Sequence, residues 1–252
     1  MPTPSRVLLL TAVLGLLPVY GQAAQVRVAV AGNFATPMKA ILAAFEAHSG
    51  HPVVPAFGST GKLYAQIKNG APFDAMLAAD QRRPRLLEEE GIAVAGSRFT
   101  YAIGALVLWS ADFGAIDDGR GLLQGGDFRR LALANPRLAP YGAAAMQTIE
   151  GLGLAAALEP KLVIGENIAQ AFQFVATGNA QLGFVALSQV FEEGTIARGS
   201  GWIVPSSLHD PIRQDAVVLE RARDNPVVAE LFAYLRGDEA RRLIAAFGYL
   251  TE

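Results

Sequence analysis

The segment Val53–Asp80, VVPAFGSTGKLYAQIKNGAPFDAMLAAD, restricts the fold more than any other part of this chain. An apolar stretch runs into the turn Gly58-Ser59-Thr60-Gly61. A short helical pattern follows, Asn69-Gly70 ends it, and a second apolar strand stops at Ala79-Asp80. Strands alternating with helices in this way make an α/β fold. The turn opens directly into the helix, so backbone N–H groups, two hydroxyls and the positive helix end meet at one point. That combination suits an anion. An earlier segment is built alike. Val26–Val30 is a short apolar strand, Ala31-Gly32-Asn33 is a turn, and Pro37 starts a helix with Met38, Ile41, Leu42 and Phe45 on one face. Two such units, each presenting a small polar turn, suggest a site for a small oxyanion.

A nucleotide phosphate loop is excluded. It needs Gly, four residues, then Gly-Lys-Ser/Thr. Around Gly61-Lys62 the chain has Ala56 and Leu63 where Gly and a hydroxyl residue are required. Lys62 then reads as a solvated residue in a first helical turn.

With 252 residues, 52% of them hydrophobic, the chain can bury the core of one large domain or two smaller ones. The formal charge of −2 and the lack of a Lys/Arg run argue against nucleic-acid binding. There is no cysteine, which excludes disulfides, thiolate metal sites and a Cys nucleophile. It also excludes a lipid-anchored exported form, which requires an N-terminal Cys. Three histidines, His48, His51 and His209, argue against a His-rich metal site.

Arg6 precedes an apolar run, Val7–Val19, and then Tyr20-Gly21-Gln22-Ala23-Ala24. The run is too short to span a bilayer and ends in small residues, as a cleaved signal peptide does. The expected cut follows Ala23, with Ala24 as the alternative, and loss of Arg6 takes the formal charge from −2 to −3. The mature protein is expected in the periplasm, without a membrane anchor.

After helix Pro37–His48, the first half continues through strand Pro52–Ala56, helix Gly61–Lys68, strand Ala75–Ala79 and helix Arg85–Glu90. Tyr101–Trp109, YAIGALVLW, reads as a long apolar strand with an internal Gly104. Its start, Tyr101–Ala105, reads as a crossing into a second domain. That domain repeats the logic with strand Leu131–Ala134, a Pro-rich turn Asn135–Gly142, helix Ala143–Glu150, strand Leu162–Ile164, helix Ile168–Thr177 and strand Leu182–Ala186. Asp215–Leu219 is a return strand, and helices Pro226–Leu235 and Glu239–Phe247 are expected to pack back on the first domain. The expected division is 1–23 signal peptide, 24–103 with 206–252 as domain I, and 104–205 as domain II. Two connections between two α/β lobes make a hinge, and ligands favour the crevice beyond the strand C-termini.

The strings AGNFATPMKAILAAFE, FGSTGKLYAQIKNGAPFDAMLAAD, ANPRLAPYGAAAMQ, IGENIAQAFQFVATGNAQLGFV and the terminal FGYL together resemble the periplasmic molybdate-binding proteins of ABC importers. The resemblance spans essentially the whole mature chain. It implies a two-lobed periplasmic binding protein fold, two doubly wound α/β domains joined by two hinge crossings. It further implies a monomeric receptor, no enzyme and no cofactor, whose ligand is molybdate or tungstate and whose partner is a membrane permease. In that family the anion is held without charged side chains. Matched position by position, the resemblance assigns Gly32 and Asn33 in the first turn, Ser59 in the second, Tyr141 in the third and the N–H of Ile168 in the fourth. Many members place a contacting Tyr just after the strand aligned with Leu182–Val185. Here that position is Ala186, and Tyr141 is inferred to replace it, as in the subgroup that pairs this Tyr with Asn at position 33.

A fully ionised tetrahedral dianion offers acceptors only, so a pocket of donors satisfies it. A protonated phosphate would bring one unpaired donor, at about 1–3 kcal/mol. Sulfate shares the dianion's charge state, so a receptor for sulfate or another tetrahedral oxyanion is the alternative within the same fold. From a different class, His209-Asp210 near Ser206 and Ser207 invites an exported Ser/His hydrolase. The chain lacks the Gly-x-Ser-x-Gly elbow of that chemistry.

Overall fold

The computed structural model describes residues 25–251; the expected signal peptide lies outside them. The first sheet is entered by β1 (Val26–Ala31), β2 (Val53–Gly58), β3 (Ala75–Leu77) and β4 (Phe99–Gly104). The second holds β5 (Leu106–Ser110), β6 (Leu131–Ala134), β7 (Leu162–Gly165) and β8 (Leu182–Ala186). A two-residue hairpin, β9 (Phe191–Glu192) and β10 (Thr195–Ile196), leads to β11 (Ser200–Ile203). The chain then returns to the first sheet as β12 (Ile212–Val218). The strand orders are β2-β1-β3-β12-β4 and β11-β5-β8-β6-β7.

Pairing explains why the two sheets look alike. β1 runs parallel to β2 and β3, and β6 runs parallel to β7 and β8, while β12 and β5 join antiparallel. Parallel neighbours need crossover helices. In the first half α1 (Ala35–Ser49) and α2 (Thr60–Lys68) supply them, and α3 (Arg82–Glu89) leads from β3 to β4. In the second half α4 (Gly119–Gly125) leads from β5 to β6, and α5 (Pro140–Gly151), the single turn α6 (Ala155–Leu158) and α7 (Ile168–Ala176) supply the crossovers. The terminal helices α8 (Pro226–Arg236) and α9 (Asp238–Ala246) cover the first sheet.

Alternation along the strands builds a core on each sheet face. Val28 and Val30 pack with Phe34, Phe45 and Leu231, whereas Ala29 between them packs with Leu63, Ile67 and Leu87. In the second sheet Leu106 and Leu108 face the cluster of Leu133, Ile149 and Phe184, and Val107 and Trp109 face Val175 and Val185.

The sequence reading of Tyr101–Trp109 as one strand is corrected. It is two, broken at Ala105, and they belong to different sheets. β4 ends on the first sheet and β5 begins on the second, because their flanking neighbours, β12 and β8, differ. The chain changes sheet a second time over 204–211. The strand β11 and the β9–β10 hairpin were not legible. Both lie in a short, glycine-bearing stretch without clear alternation. Helix α5 begins at Pro140, not Ala143, because proline fits the first helical position, where no N–H is needed. That shift places Tyr141 in a helix's first turn.

Candidate functional site

Four turns converge between the sheets, each at the C-terminal end of a parallel strand. β1 ends at Ala31 and passes into a single 3-10 turn, Gly32–Phe34. β2 ends at Gly58 and Ser59 precedes α2. β6 is followed by Ala139 and α5, and β7 by Asn167 and α7. The first N–H groups of a helix have no partner within it, and the helix dipole adds partial positive charge there. All five residues inferred from the sequence, Gly32, Asn33, Ser59, Tyr141 and Ile168, line one small cavity of about 10 Å³ with Thr60 and Asn167. Among the described residues, no charged side chain lines it.

Ser59 occupies the N-cap position of α2, yet its side chain caps nothing. Its Oγ is buried and has no hydrogen-bond partner. A buried hydroxyl left unpaired costs about 1–3 kcal/mol, so native proteins rarely keep one without reason. The neighbouring donors are used differently. Thr60 Oγ1 accepts from Ala79 N at 3.0 Å, and Gly61 N donates across the lobes to Leu138 O at 2.8 Å. Asn167 does cap its helix, accepting from Gln170 N at 3.0 Å.

Behind the cavity lies a buried polar network that the sequence did not reveal. The backbone carbonyl of Asn33 accepts from Ser188 Oγ at 2.9 Å and from Tyr249 Oη at 3.0 Å. Because Tyr249 has one proton and gives it there, its oxygen accepts from Asn33 Nδ2, at 2.9 Å. Asn33 Nδ2 also donates to Gln214 Oε1, at 2.8 Å. This orientation leaves Gln214 Nε2 to donate to Tyr141 Oη, at 3.2 Å, while Tyr101 Oη reaches Gln214 Oε1 at 3.1 Å. Gln214 is fully buried on β12. Two consequences follow. The Asn33 amide protons are both engaged, so Asn33 faces the cavity with its backbone rather than with side-chain donors. The Tyr141 oxygen is occupied by Gln214, so its own proton points either toward neighbouring Tyr249 or into the cavity.

Burial raises the Tyr141 hydroxyl well above the usual tyrosine pKa of 10.0, reinforced by the nearby Tyr249. Burial likewise raises Tyr101 and Tyr249. Tyr141 therefore stays a protonated donor at neutral pH. Ala186, whose position carries the contacting Tyr in many members of the resembled family, is completely buried on β8 opposite Leu106.

The lobes touch elsewhere too. Lys62 is not simply solvated: its Nζ lies 2.5 Å from Glu166 Oε1, across the gap between α2 and the turn before α7. Arg83 pairs with Asp80 and donates to Arg137 O at 3.1 Å. No sequence signal links Lys62 to Glu166 or Arg83 to Arg137, because these partners are far apart in the chain. The suggested hydrolase group does not assemble. His209 Nδ1 contacts the Asp210 backbone oxygen at 2.8 Å, and among the described residues no hydrogen bond joins His209 to Ser206 or Ser207. No group of three or more metal-ligating side chains occurs among the described residues.

Comparison with known proteins gives the same fold and the same family. Residues 26–250 match the family described as bacterial extracellular solute-binding protein. The chain is 57% identical over 235 residues to the molybdate-binding protein ModA of Azotobacter vinelandii, covering 93% of each. It is 48% identical to ModA of Rhodobacter capsulatus over 231 residues, covering 91% of this chain and 90% of that one. The solved Azotobacter vinelandii periplasmic molybdate-binding protein superposes with a TM-score of 0.87 at 38% identity, over 90% of this chain and all of that one. The sulfate-binding protein SubI of Mycobacterium tuberculosis shares the fold, with a TM-score of 0.71 at 13% identity over 91% of this chain and 87% of that one. The chain belongs to the bacterial extracellular solute-binding proteins, in the group of the ModA molybdate-binding proteins.

Proposed function

We propose that this protein is the periplasmic receptor that captures molybdate between its lobes and delivers it to the permease of an ABC importer. The observation that carries the reading is the buried, unpartnered Ser59 hydroxyl in a cavity lined by helix starts and free of charged side chains. Such a site offers hydrogen-bond donors in fixed directions and, through its helix ends, a positive potential. A tetrahedral dianion matches both. Molybdate is chosen over other oxyanions because the relatives at 57% and 48% identity bear that name. Tungstate has the same shape and charge and is expected to bind as well.

In this reading Ser59 donates through its hydroxyl, Gly32, Asn33 and Ile168 through backbone N–H groups, and Tyr141 through its phenol. The division is the one expected from the sequence with Gly104, the last residue of β4, moved to the first lobe: domain I is 24–104 with 206–252 and domain II is 105–205. The two swing about Ala105 and 204–211, closing on the anion. The mature protein starts at Ala24 or Gln25, has no lipid anchor, works as a monomer and needs no cofactor.

Calorimetric titration of the refolded, anion-free protein with molybdate, tungstate, sulfate and phosphate tests the assignment. Tight binding of the first two, with weak or no binding of the others, is expected. Sulfate binding as tight as molybdate would move the protein to the sulfate receptors. Retention of residues 1–23 in the intact mass of the exported protein would remove the signal-peptide assignment.

A further inference from the structure

A second, larger opening adjoins the small cavity. It is a cleft of about 570 Å³ bounded by both lobes and by the second crossing. It shares Ala79, Ala139 and Pro140 with the cavity wall. Its charged lining is Arg82, Arg83, Arg137 and Arg213 against Asp80 and Asp210, a formal excess of two positive charges. Arg83 is neutralised by Asp80, and Asp210 is tied to Gln147 by a pair of hydrogen bonds. Arg82 and Arg137 are exposed at the rim, one from each lobe.

This distribution is the reverse of the cavity's and of the protein's as a whole. The cavity has no charged side chain, and the whole chain carries a formal charge of −2. A dianion approaching such a molecule meets net repulsion at long range and neutral donors at contact. Donors at helix ends act only within about one turn. A cleft lined by one sign of charge between low-dielectric walls focuses the field and raises the local concentration of the counter-ion.

We propose that the arginine-lined cleft is the vestibule of the anion site, a transient binding region for small dianions that sets the association rate while the neutral cavity sets the dissociation rate. Arg82 and Arg137 are its steering residues and touch the anion only in passing. The division has a physical use. An arginine in the final site would grip any anion and would slow release to the permease, whereas an arginine at the rim accelerates capture and leaves selectivity to the donors. The inference rests on the receptor reading above.

Stopped-flow measurement of molybdate association, followed by intrinsic fluorescence, tests it on the whole mature protein. In the wild type the association rate should fall as ionic strength rises, because exposed charges are screened over about 30 Å at 0.01 M salt and about 8 Å at 0.15 M. Arg82→Gln/Arg137→Gln should associate roughly three- to tenfold more slowly at low salt and within about twofold of wild type at 0.15 M. Arg82→Glu/Arg137→Glu should be slower still. Dissociation rates and the melting temperature of the anion-free protein should not change. A salt-independent wild-type rate, or a wild-type rate in the double variants at low salt, overturns the vestibule. So does an unchanged rate accompanied by impaired delivery in cells, which would reassign the arginines to permease docking. Failure of the wild type to bind molybdate in calorimetry would instead overturn the receptor reading, and the vestibule with it.

Discussion

A Cβ atom on Gly104 would overlap the Tyr141 hydroxyl and lie 2.7 Å from Gln214 Nε2. The last residue of β4, one position before the chain changes sheets, is thus a glycine because a tyrosine from the other lobe occupies its side-chain space. The crossing and the site are packed against each other, so a change at one is felt at the other.

Gly104→Ala should therefore damage binding without touching the anion. Its backbone is compatible with alanine, since no positive φ is involved, so the effect is steric. Displacing Tyr141 and Gln214 should lower molybdate affinity at least tenfold and destabilise the anion-free fold by about 1–3 kcal/mol. Adding Tyr141→Phe, which removes the overlapping oxygen, should recover only part of the stability, since Gln214 Nε2 at 2.7 Å and the ring carbon Cζ at 2.9 Å still crowd the new Cβ, and it should not recover the affinity. Equal stability of Gly104→Ala and wild type in urea unfolding would contradict the close packing.

Ser59→Ala should separate binding from stability. The lost hydroxyl donates to a charged acceptor, worth about 1.5–3 kcal/mol, so affinity should fall roughly ten- to a hundredfold. The anion-free protein should be as stable as wild type or slightly more so, because an unpaired buried hydroxyl has been removed. Affinity within about twofold of wild type in calorimetry would place the site elsewhere.

Asn33→Ala should behave in the opposite way. Its amide protons hold Gln214 and Tyr249, while its backbone faces the cavity. Stability should drop by about 1–3 kcal/mol, with buried acceptors left unpaired. Affinity should fall indirectly, through the loosened Tyr141. A variant with wild-type melting temperature and weakened binding would show that the side chain contacts the anion directly.

Tyr141→Phe keeps the ring and removes one donor. Affinity should fall about tenfold or more, mainly through faster dissociation, because the proposed site lies between lobes. Unchanged affinity would mean that no second-lobe hydroxyl replaces the one absent at Ala186.

Alkaline pH should weaken the fold. Tyr101, Tyr141 and Tyr249 all have raised pKa values because burial disfavours the phenolate. Below the ordinary tyrosine pKa of about 10 they contribute no pH dependence. As pH rises past that value the unfolded chain releases these protons first and binds fewer than the native state, so stability falls. Urea midpoints should be flat in this respect from neutral pH to about 9 and decline beyond 10. The Tyr141→Phe variant should decline less steeply.

Local signals decided the elements and much of the site. Apolar runs of period two, helix faces of period 3.6 and Gly/Pro/Asn punctuation all act within a few residues, so β1, α1, β2, α2 and α7 are readable from the chain itself. The anion turns belong to the same class, since a strand that ends in a small polar turn and feeds a helix leaves its N–H groups unpaired wherever it sits. Matching to a family added Tyr141 and Ile168, whose sequence neighbourhoods alone say little. Tertiary structure decided the rest. Only the fold brings Gln214, Tyr249 and Ser188 against Asn33, residues 155 to 216 positions apart, and so ties the Asn33 amide and carbonyl into a buried network. Only the fold sets Lys62 beside Glu166 and empties the side-chain space at Gly104 for Tyr141. Hydrogen bonds and packing of that range depend on how two sheets are placed relative to each other. No periodicity or spacing along the chain encodes that placement.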